Sequence, residues 1–425
     1  MSTVLVCSSP IHGHVSPMLA ATAHLVEAGH DVTVLTGSRF RARVVETGAA
    51  FRPLTGLADF DDRVPDDYIP DRDLYRGVER AQYEIGRIFV DTIPDQFAAA
   101  SAAIDAISPD VVVVDGPFIG LGPLVAARRT DRPPVIALGV TPLSQSSRDT
   151  APFGMGLPPA THAVGRLKQR AMGVVASRVL FRGLQRRVEA AFASTTGARV
   201  PGLAMDTAHY ADRFLQLSTR ETEYPRSDIA PNIEFIGPLV PHDVEAPLPE
   251  WWHELDGTRP VVHVTQGTID NDDFSRLVQP TIDALADRDA LVVVSLGGRP
   301  ESSFPHHAPH VRVASFLPYR ALLARTDVMV TNGGFGGVSA ALLLGVPLVV
   351  AGDTEEKPEV AARVAWSGGG IDLRTGRPTA AEVRSAVDAL LDPAARERSR
   401  GIARAAATYD ARASIERVVG EVTNA

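Results

Sequence analysis

The sequence predicts an α/β protein made of two doubly wound parallel sheets that face each other across a cleft. Short β-branched runs alternate with helical patterns from one end of the chain to the other, and one proline-rich stretch interrupts the alternation. The chain has 425 residues, which exceeds the roughly 250–300 residues that one hydrophobic core usually serves. We therefore expect two domains of similar architecture.

The N-terminal half opens with a buried strand, Val4–Cys7. Ser16 is a good helix cap and Pro17 suits the first helical position, so a helix is predicted from there to about Ala28, with Gly29 as its stop. Further strands are predicted at Asp31–Leu35, Val111–Val114 and Val135–Val140. Strands that alternate with helices in this way are typical of a parallel sheet covered on both faces.

The same alternation returns in the C-terminal half, with strands predicted at Val261–Thr265, Ala290–Leu296, Val328–Thr331 and Pro347–Ala351. Between the halves, Gly237–Glu250 contains four prolines, which is a linker composition. The predicted units are an N-terminal domain at 1–236, a linker at 237–250, a C-terminal domain at 251–408, and a final helical segment at 409–425 that packs back on the N-terminal domain.

Composition and charge exclude several classes of function. The net charge is −9, which argues against nucleic-acid binding because that requires a basic face. The single cysteine, Cys7, allows no disulfide within the chain and fits a reducing cytoplasm. The N-terminus lacks the pattern of a secretory signal, and no apolar run reaches the ~18 residues of a membrane span. We expect a soluble cytoplasmic protein without stable membrane insertion.

One segment is locally basic, and we interpret it as a solvated helix face, with contact to anionic lipid as the alternative. Its cations are Arg166, Lys168, Arg170, Arg178, Arg182, Arg186 and Arg187.

A glycine-rich turn gives the clearest chemical signal. Asn332, Gly333, Gly334, Phe335, Gly336 and Gly337 follow the strand Val328–Thr331 and open a helix. Free N–H groups and the positive end of the helix dipole make such a turn a phosphate site. Four glycines exceed what a plain turn needs. The spacing is not that of the dinucleotide fingerprint.

A second turn, Gly267-Thr268, follows another predicted strand and could close on the same diphosphate. Asp270 and Asp272 come next, and we interpret them as caps of a helix predicted at Phe274–Ala286 rather than as metal ligands. No metal site is expected.

Glu356 and Lys357 end an acidic loop after a buried strand. Carboxylates there could accept hydrogen bonds from sugar hydroxyls. By itself, however, this pattern is better explained as a solvated acidic turn at a helix N-terminus.

His14 is the candidate base in the N-terminal half. It follows the first strand, and Asp115 follows Val111–Val114, so both lie where the carboxyl ends of parallel strands meet. Histidine titrates near neutral pH, and a buried carboxylate on its far nitrogen fixes its tautomer. His12, two residues earlier, is interpreted as structural.

These motifs, in this order, resemble the inverting nucleotide-sugar glycosyltransferases of the macrolide and plant secondary-metabolite type, which have the GT-B fold. The resemblance spans nearly the whole chain. It implies that His14 is the base and Asp115 its partner, and that Phe316 stacks on the nucleotide base, with Pro318 nearby in the donor site. It also implies that Asn332 to Gly337 hold the diphosphate and that Glu356 and Lys357 meet the sugar. The chain departs from the family pattern at Asn332, Ala340 and Lys357, which replace a histidine, a glutamate and a glutamine.

The expected reaction is transfer of a hexose from UDP-glucose or a dTDP-sugar to a small hydrophobic or aromatic acceptor, with inversion and without metal or cofactor. Segments Ala58–Arg80 and Thr141–Pro159 are the predicted acceptor pocket. Phe118 and Phe153 are its candidate aromatic contacts, although either could belong to the core. Two alternatives stay open: a sugar-nucleotide epimerase, and a non-catalytic helper protein of the same fold.

Overall fold

The protein is described by a computed structural model at residues 1–240, 248–268, 270–304 and 308–424. These residues form a seven-stranded and a six-stranded sheet. Two doubly wound parallel sheets confirm the predicted fold class. The middle of the predicted linker, residues 241–247, lies outside the described residues.

The first sheet belongs to the N-terminal half and has the order β3-β2-β1-β4-β5-β6-β7. Each neighbouring pair is parallel. The strand order reverses between β1 and β4, where Val4 pairs with Val111. The strands are β1 Thr3–Cys7, β2 Asp31–Thr36, β3 Ala50–Pro53, β4 Val111–Asp115, β5 Val135–Gly139, β6 Arg213–Gln216 and β7 Ile233–Phe235.

The second sheet has the order β10-β9-β8-β11-β12-β13, again with parallel neighbours. Its order reverses between β8 and β11. The strands are β8 Val261–Thr265, β9 Leu291–Ser295, β10 Val311–Ala314, β11 Val328–Thr331, β12 Leu348–Val350 and β13 Gly370–Asp372.

Helices cover both faces of each sheet. In the N-terminal half they are α1 His12–Glu27, α2 Arg41–Glu46, α3 Pro65–Tyr68, α4 Gly77–Ile85, α5 Ile93–Ile107, α6 Gly122–Val125, α7 Ala163–Val175 and α8 Arg182–Thr195. In the C-terminal half they are α9 Val278–Ala284, α10 Tyr319–Leu323, α11 Phe335–Leu343, α12 Lys357–Ser367, α13 Ala380–Leu390, α14 Pro393–Ala406 and α15 Ala411–Thr423. Two π turns, Gly86–Val90 and Ala176–Leu180, continue α4 and α7.

Short 3₁₀ turns complete the connections. They are Ser38–Phe40, Gly56–Ala58, Arg72–Leu74, Ile119–Leu121, Arg129–Asp131, Thr207–Tyr210, Arg220–Thr222, Glu250–Glu254 and Glu301–Ser303.

Burial on both faces explains why the central strands are so apolar. All five residues of β4 are buried, as expected for a parallel strand between two helical layers. The last helix, α15, packs on the N-terminal domain, where Ile415 and Val418 share one core with Val4 and Leu25. The end of the chain therefore returns across the interface between the halves.

The first helix begins earlier than predicted, at His12, so Pro17 lies inside it. The N–H of Val15 already donates to the carbonyl of Ile11 (2.9 Å), which closes a helical turn before Ser16. The hydroxyl of Ser16 accepts from Arg43 rather than capping the helix. His14 is thereby held in the first turn of a regular helix and not on a loop.

The segment at 58–80, which the sequence assigns to the acceptor pocket, is a series of short helical turns anchored by buried side chains. Ala58, Phe60 and Ile69 are buried, and the rings of Phe60 and Tyr68 stack with centroids 4.4 Å apart. The segment therefore has a fixed shape beside the first sheet.

Cys7 is fully buried, and burial raises the pKa of its thiol. The cytoplasmic location stays a prediction. Within the described part of the chain, none of the helices combines the length and apolarity that a membrane crossing requires.

Candidate active site

The predicted site residues cluster at the two points where strand order reverses. His14 lies in the helix that follows β1 and Asp115 is the last residue of β4, while Gly267 and Asn332 follow β8 and β11. In open α/β sheets a crevice forms outside the carboxyl ends of the strands at such a switch point. The two crevices face each other, because α1 contacts α11.

Asp115 and His14 form a buried pair. The Nδ1 atom of His14 lies 3.4 Å from Oδ1 of Asp115. The other oxygen, Oδ2, accepts from the N–H of Ser9 (2.6 Å) and the hydroxyl of Ser8 (3.0 Å). Asp115 is fully buried, yet both of its oxygens have donors. These donors satisfy the buried carboxylate and fix its orientation toward the imidazole.

The surroundings of His14 favour its protonated form. Burial lowers its pKa, but the charge of Asp115 and the hydrogen bond to it outweigh burial, so the pKa is raised above the ordinary 6.5. Glu356 and Glu355, from the other domain, raise it further. The ring also stacks on Phe89, with centroids 5.8 Å apart. His14 therefore stands opposite the acidic loop of the C-terminal half.

His12 lies on the same helix turn but in a different environment. Its ring nitrogen Nδ1 is 3.4 Å from Arg43. Burial, together with the charges of Arg43 and Arg39, lowers its pKa to about 4. Because Arg43 and burial keep the His12 ring neutral, this ring is poorly suited to accept a proton from a substrate. A structural role, as predicted from the sequence, fits this environment.

The glycine-rich turn leads into α11, which begins at Phe335. The N–H groups of Phe335, Gly336 and Gly337 head the helix, where they have no acceptor within it. A Cβ atom added at Gly334 or Gly336 would meet nothing within 4 Å, so space is open beside the turn. Gly333 adopts φ +95°, which favours glycine. The turn therefore offers amides, dipole and space for an anion.

Asn332 does not point where the sequence suggested. Its side-chain nitrogen donates to the backbone carbonyl of Gln266 at 2.5 Å, and the residue is buried. The amide that was expected to reach phosphate instead joins the β11 turn to the β8 turn. Asn332 thus shapes the turn, and the N–H groups of α11 are left as the anion donors.

The second turn lies on the opposite side of the same crevice. Gly267 adopts φ +72° and donates its N–H to the hydroxyl of Thr265 (3.2 Å). Thr268 is exposed. A Cβ at Gly267 would lie 3.6 Å from Asn332. The turns after β8 and β11 are therefore in contact, as the diphosphate prediction requires.

Phe316 stands out as a large apolar ring that is 62% exposed. One edge rests on Gly298, where an added Cβ would lie 2.8 Å from the ring. Pro318, two residues on, precedes α10 as its cap and is half-buried. An open aromatic ring beside the β8 crevice is suited to stack on a flat base.

Glu356 is half-buried and caps α12. Burial and the neighbouring charge of Glu355 raise its pKa, against the effect of Lys357. Glu355 itself adopts φ +55°, a conformation uncommon outside glycine. The two carboxylates approach His14 across the cleft closely enough to affect its pKa.

Lys357 is buried, and its ammonium already has protein partners. The residue is only 4% exposed. Its Nζ atom donates to Glu355 (2.7 Å), to the hydroxyl of Thr354 (2.8 Å) and to Asp270 (3.4 Å). The resemblance implied a contact with sugar hydroxyls, but these three acceptors surround the ammonium. Lys357 therefore fixes the acidic loop to the loop after β8.

Asp270 is a partner of Lys357 that the sequence did not predict. It was interpreted as a helix cap, yet α9 begins only at Val278. Its carboxylate instead binds Arg276 (2.6 Å), Thr354 (3.0 Å) and Lys357. These cations hold its pKa low despite burial, which by itself would raise it.

A buried ionic cluster joins the two domains, and no motif indicated it. Arg363 of α12 donates to both oxygens of Glu223 (2.8 and 2.9 Å) and to Glu359 (2.5 Å). Arg226 also binds Glu223, at 3.1 Å. Glu359 and Arg363 are four residues apart on a helix, a spacing that is typical of a local ion pair. The contact with Glu223, 140 positions away, has no such local pattern.

The same cluster reaches the predicted acceptor segment at 141–159. One carboxylate oxygen of Glu359 accepts from the N–H groups of Gly154 (2.9 Å) and Gly156 (2.8 Å). Phe153 precedes them and is half-buried. Phe118, by contrast, is only 1% exposed and lies in the core with Val114 and Leu121. It offers no surface to an acceptor.

Among the described residues, no group of three or more histidine, cysteine or acidic side chains is arranged to hold a metal ion.

Two facing doubly wound domains are the GT-B architecture of glycosyltransferases, and solved structures confirm the assignment. The glycosyltransferase of kitacinnamycin matches with a TM-score of 0.73 at 23% identity, covering 98% of both chains. The calicheamicin glycosyltransferase matches with a TM-score of 0.70 at 21% identity, covering 100% of this chain and 98% of the other. At such identities the likeness concerns the fold.

Sequence relatives define the family more closely. Residues 279–422 match the family described as erythromycin biosynthesis protein CIII-like, C-terminal domain. The 4'-demethylrebeccamycin synthase of Lentzea aerocolonigenes is 41% identical over 92% of this chain and 91% of its own length. A UDP-glycosyltransferase of Phaeomoniella chlamydospora is 35% identical over 99% of this chain and 96% of its own. The chain belongs to this family of nucleotide-sugar-dependent natural-product glycosyltransferases.

Proposed function

We propose that the protein transfers a hexose from UDP-glucose or a dTDP-sugar to a small hydrophobic or aromatic natural product, with His14 as the base. The observation that carries the proposal is the buried His14–Asp115 pair, which stands across a cleft from the α11 turn. The relatives support both donor types: several are named UDP-glucosyltransferases, and the fold is shared with a spinosyn rhamnosyltransferase solved with thymidine diphosphate.

In the proposed mechanism His14 uses both ring nitrogens. Because Nδ1 faces Asp115, Nε2 is the atom that takes the proton of the acceptor hydroxyl. The freed oxygen attacks C1 of the sugar from one face, while the bond from C1 to the phosphate oxygen breaks on the other. The configuration at C1 is therefore inverted. Asp115 stabilises the imidazolium that forms.

The leaving diphosphate carries the bonding electron pair away. The N–H groups of Phe335, Gly336 and Gly337 and the α11 dipole meet this growing charge. Such fixed donors take the place of a metal ion, so we propose a metal-independent reaction without cofactor. Glu356 is placed to accept hydrogen bonds from sugar hydroxyls, and Phe316 to stack on the nucleotide base.

The experiment is mass spectrometry of products formed in EDTA. The enzyme is incubated with UDP-glucose or dTDP-glucose and a polyphenol, beside His14→Ala and a matched His12→Ala variant. We expect a hexose mass increment with the native protein and with His12→Ala, and none with His14→Ala. An increment that survives His14→Ala, or that depends on added metal, contradicts the mechanism. NMR of the product's anomeric centre tests inversion.

Two observations favour the helper-protein alternative: Asn332 donates its side-chain amide to Gln266, and Ala340, where the resemblance implies a glutamate, is buried and has no polar side chain. A helper protein predicts no affinity for nucleotide sugars. Calorimetry with UDP-glucose and dTDP-glucose separates the two, since a measurable Kd for either donor removes the helper alternative. An epimerase would change the donor in the absence of any acceptor, which the same mass spectrometry and NMR would detect.

A further inference from the structure

The helical segment at 163–187 presents a surface on which large apolar side chains and cations are exposed together. We call it the basic–apolar surface. The exposed apolar side chains are Val164 (75%), Leu167 (68%), Val174 (52%), Val175 (50%), Val179 (67%) and Leu180 (37%). Scattered single apolar residues on a surface are ordinary, but a contiguous group marks an interaction site.

The orientation of α7 shows that the exposure is built into the helix. Val164, Leu167, Ala171 and Val174 recur at spacings of three and four residues, so they share one face, and all are exposed. The buried residue of α7 is polar: Gln169 accepts from Ala160 and donates to Pro158. A helix on a globular protein normally buries its apolar stripe. This one buries a glutamine and turns its apolar stripe outward.

The charge of the segment is equally one-sided. It holds seven lysines and arginines between 166 and 187 and no acidic residue between 150 and 188, in a chain of net charge −9. Within the described residues, Arg187 is the one of the seven with a carboxylate partner, Asp91. The remaining six cations are exposed. The surface therefore combines an apolar face with cations that, apart from Arg187, form no salt bridge among the described residues.

We propose that the basic–apolar surface docks the protein reversibly on an anionic membrane. Interfacial helices join an apolar face to lysine and arginine in this way, and the two contributions together give attachment that neither supplies alone. With 13 residues, α7 would lie in the plane of the headgroups. A second copy of the chain is the other occupant to consider. A two-fold symmetric contact would press the same cations against each other, which charge complementarity disfavours.

Docking would place the acceptor segment next to the lipid. Gln169 holds Pro158 and Ala160, and Arg170 donates to the carbonyl of Arg148. The segment between them contacts Glu359 through Gly154 and Gly156. This consequence, that a hydrophobic acceptor could enter from the membrane, rests on the proposed function. The docking itself does not.

The test is vesicle co-sedimentation of the full-length protein. Vesicles of equal parts phosphatidylcholine and phosphatidylglycerol are compared with vesicles of phosphatidylcholine alone, at low and at high salt. We expect binding to the anionic vesicles that weakens with salt. The variant Leu167→Glu/Val174→Glu should bind about tenfold less. Val45→Glu changes another exposed apolar residue, on α2, and should bind like the native protein.

A second variant separates charge from apolar contact and guards against misfolding. Arg178→Gln/Arg182→Gln removes two exposed cations without touching the apolar face, and should weaken binding and flatten its salt dependence. Circular dichroism checks that each variant is folded. Absence of native binding to the anionic vesicles overturns the proposal. So does equal binding to both vesicle types, or a native dimer that the Glu variant converts to monomer in light scattering.

Discussion

Asp115→Asn is the sharpest perturbation that the structure offers, because the aspartate accepts hydrogen bonds on both oxygens. His14 approaches Oδ1, while Ser9 and Ser8 donate to Oδ2. An asparagine has the same shape but only one acceptor oxygen. If its oxygen stays with Ser9, its NH₂ group faces His14 and selects the tautomer that carries the proton on Nε2. That tautomer cannot take a proton from the acceptor.

The size of the effect follows from the geometry. Coulomb's law gives about 5 kcal/mol for two unit charges 3.4 Å apart at an effective dielectric constant of about 20. The imidazolium forms fully only as the acceptor proton is taken, so this energy is lost mainly in the transition state. We expect kcat to fall by about 10³-fold, while the Kd of the nucleoside diphosphate stays unchanged.

The pH profile supplies an independent readout. Although burial lowers the pKa of His14, Asp115 raises it above the ordinary 6.5 in the native protein. The base must be neutral, so the acidic limb of native kcat/KM should lie above 6.5. Without the aspartate charge, burial acts with less opposition and the pKa falls. The acidic limb of the residual activity should therefore move to lower pH.

The matched control is Asp110→Asn, next to the opposite end of β4, where the carboxylate accepts from the N–H of Thr3 at the surface. It makes the same chemical change away from the site, and should leave kcat and the limb in place. An Asp115→Asn enzyme with more than about a tenth of native kcat and an unshifted limb would refute the role of the pair.

Three further perturbations test the donor site and the interface. Gly336→Asp adds a carboxylate in open space at the α11 N-terminus; it should stabilise the helix slightly but weaken donor binding by at least about tenfold through repulsion. Phe316→Ala removes the exposed ring, and should weaken UDP and dTDP binding by about tenfold. Arg363→Met deprives buried Glu223 of its main cation, and should cost about 3 kcal/mol of stability. In the native protein burial raises the pKa of Glu223, but Arg363 and Arg226 outweigh it and lower the pKa. This stabilisation is therefore present above pH 4.5 and is lost as the pH falls through the lowered value.

Calorimetry with each nucleotide and thermal unfolding measure these outcomes. Gly336→Ala is the control for the first, because it adds bulk without charge; equal donor binding by the alanine and aspartate variants would contradict an anion site. Unchanged nucleotide affinity in Phe316→Ala would exclude stacking. Arg363→Met with native stability at pH 7 would show that the ionic cluster contributes little to the fold.

The sequence predicted the parts of this molecule that depend on local patterns. Buried runs such as Val111–Val114 are strands because a strand between two helical layers must be apolar on both faces. The glycine-rich turn could be predicted because its backbone requires glycine. Gly333 adopts φ +95°, and Gly334 and Gly336 leave open space beside the helix N-terminus. The predicted start of α1 was wrong, also for a local reason. Ser16 and Pro17 have the residue types of a helix start, but they lie inside a helix that begins at His12.

What the sequence could not predict is which distant charges meet. Lys357 was assigned to the sugar, but its ammonium lies among Asp270, Thr354 and Glu355. Asp270 and Lys357 are 87 positions apart, and Glu223 and Arg363 are 140 apart. A single sequence contains many candidate partners for each, and only the packing of loops selects among them.

Helix α12 gives these long-range contacts a common consequence. Its cap, Glu356, lies close enough to His14 to raise the pKa of that ring, and in its first turn Glu359 accepts from the backbone of Gly154 and Gly156, in the segment at 141–159. Arg363 then fixes the same helix to Glu223 of the other domain. One helix therefore links Glu356, the segment at 141–159 and, through Glu223, the domain that carries His14. Since misplacement of about 1 Å can cost 10²-fold in rate, we expect the buried ionic cluster to support the proposed reaction by keeping the two domains in register.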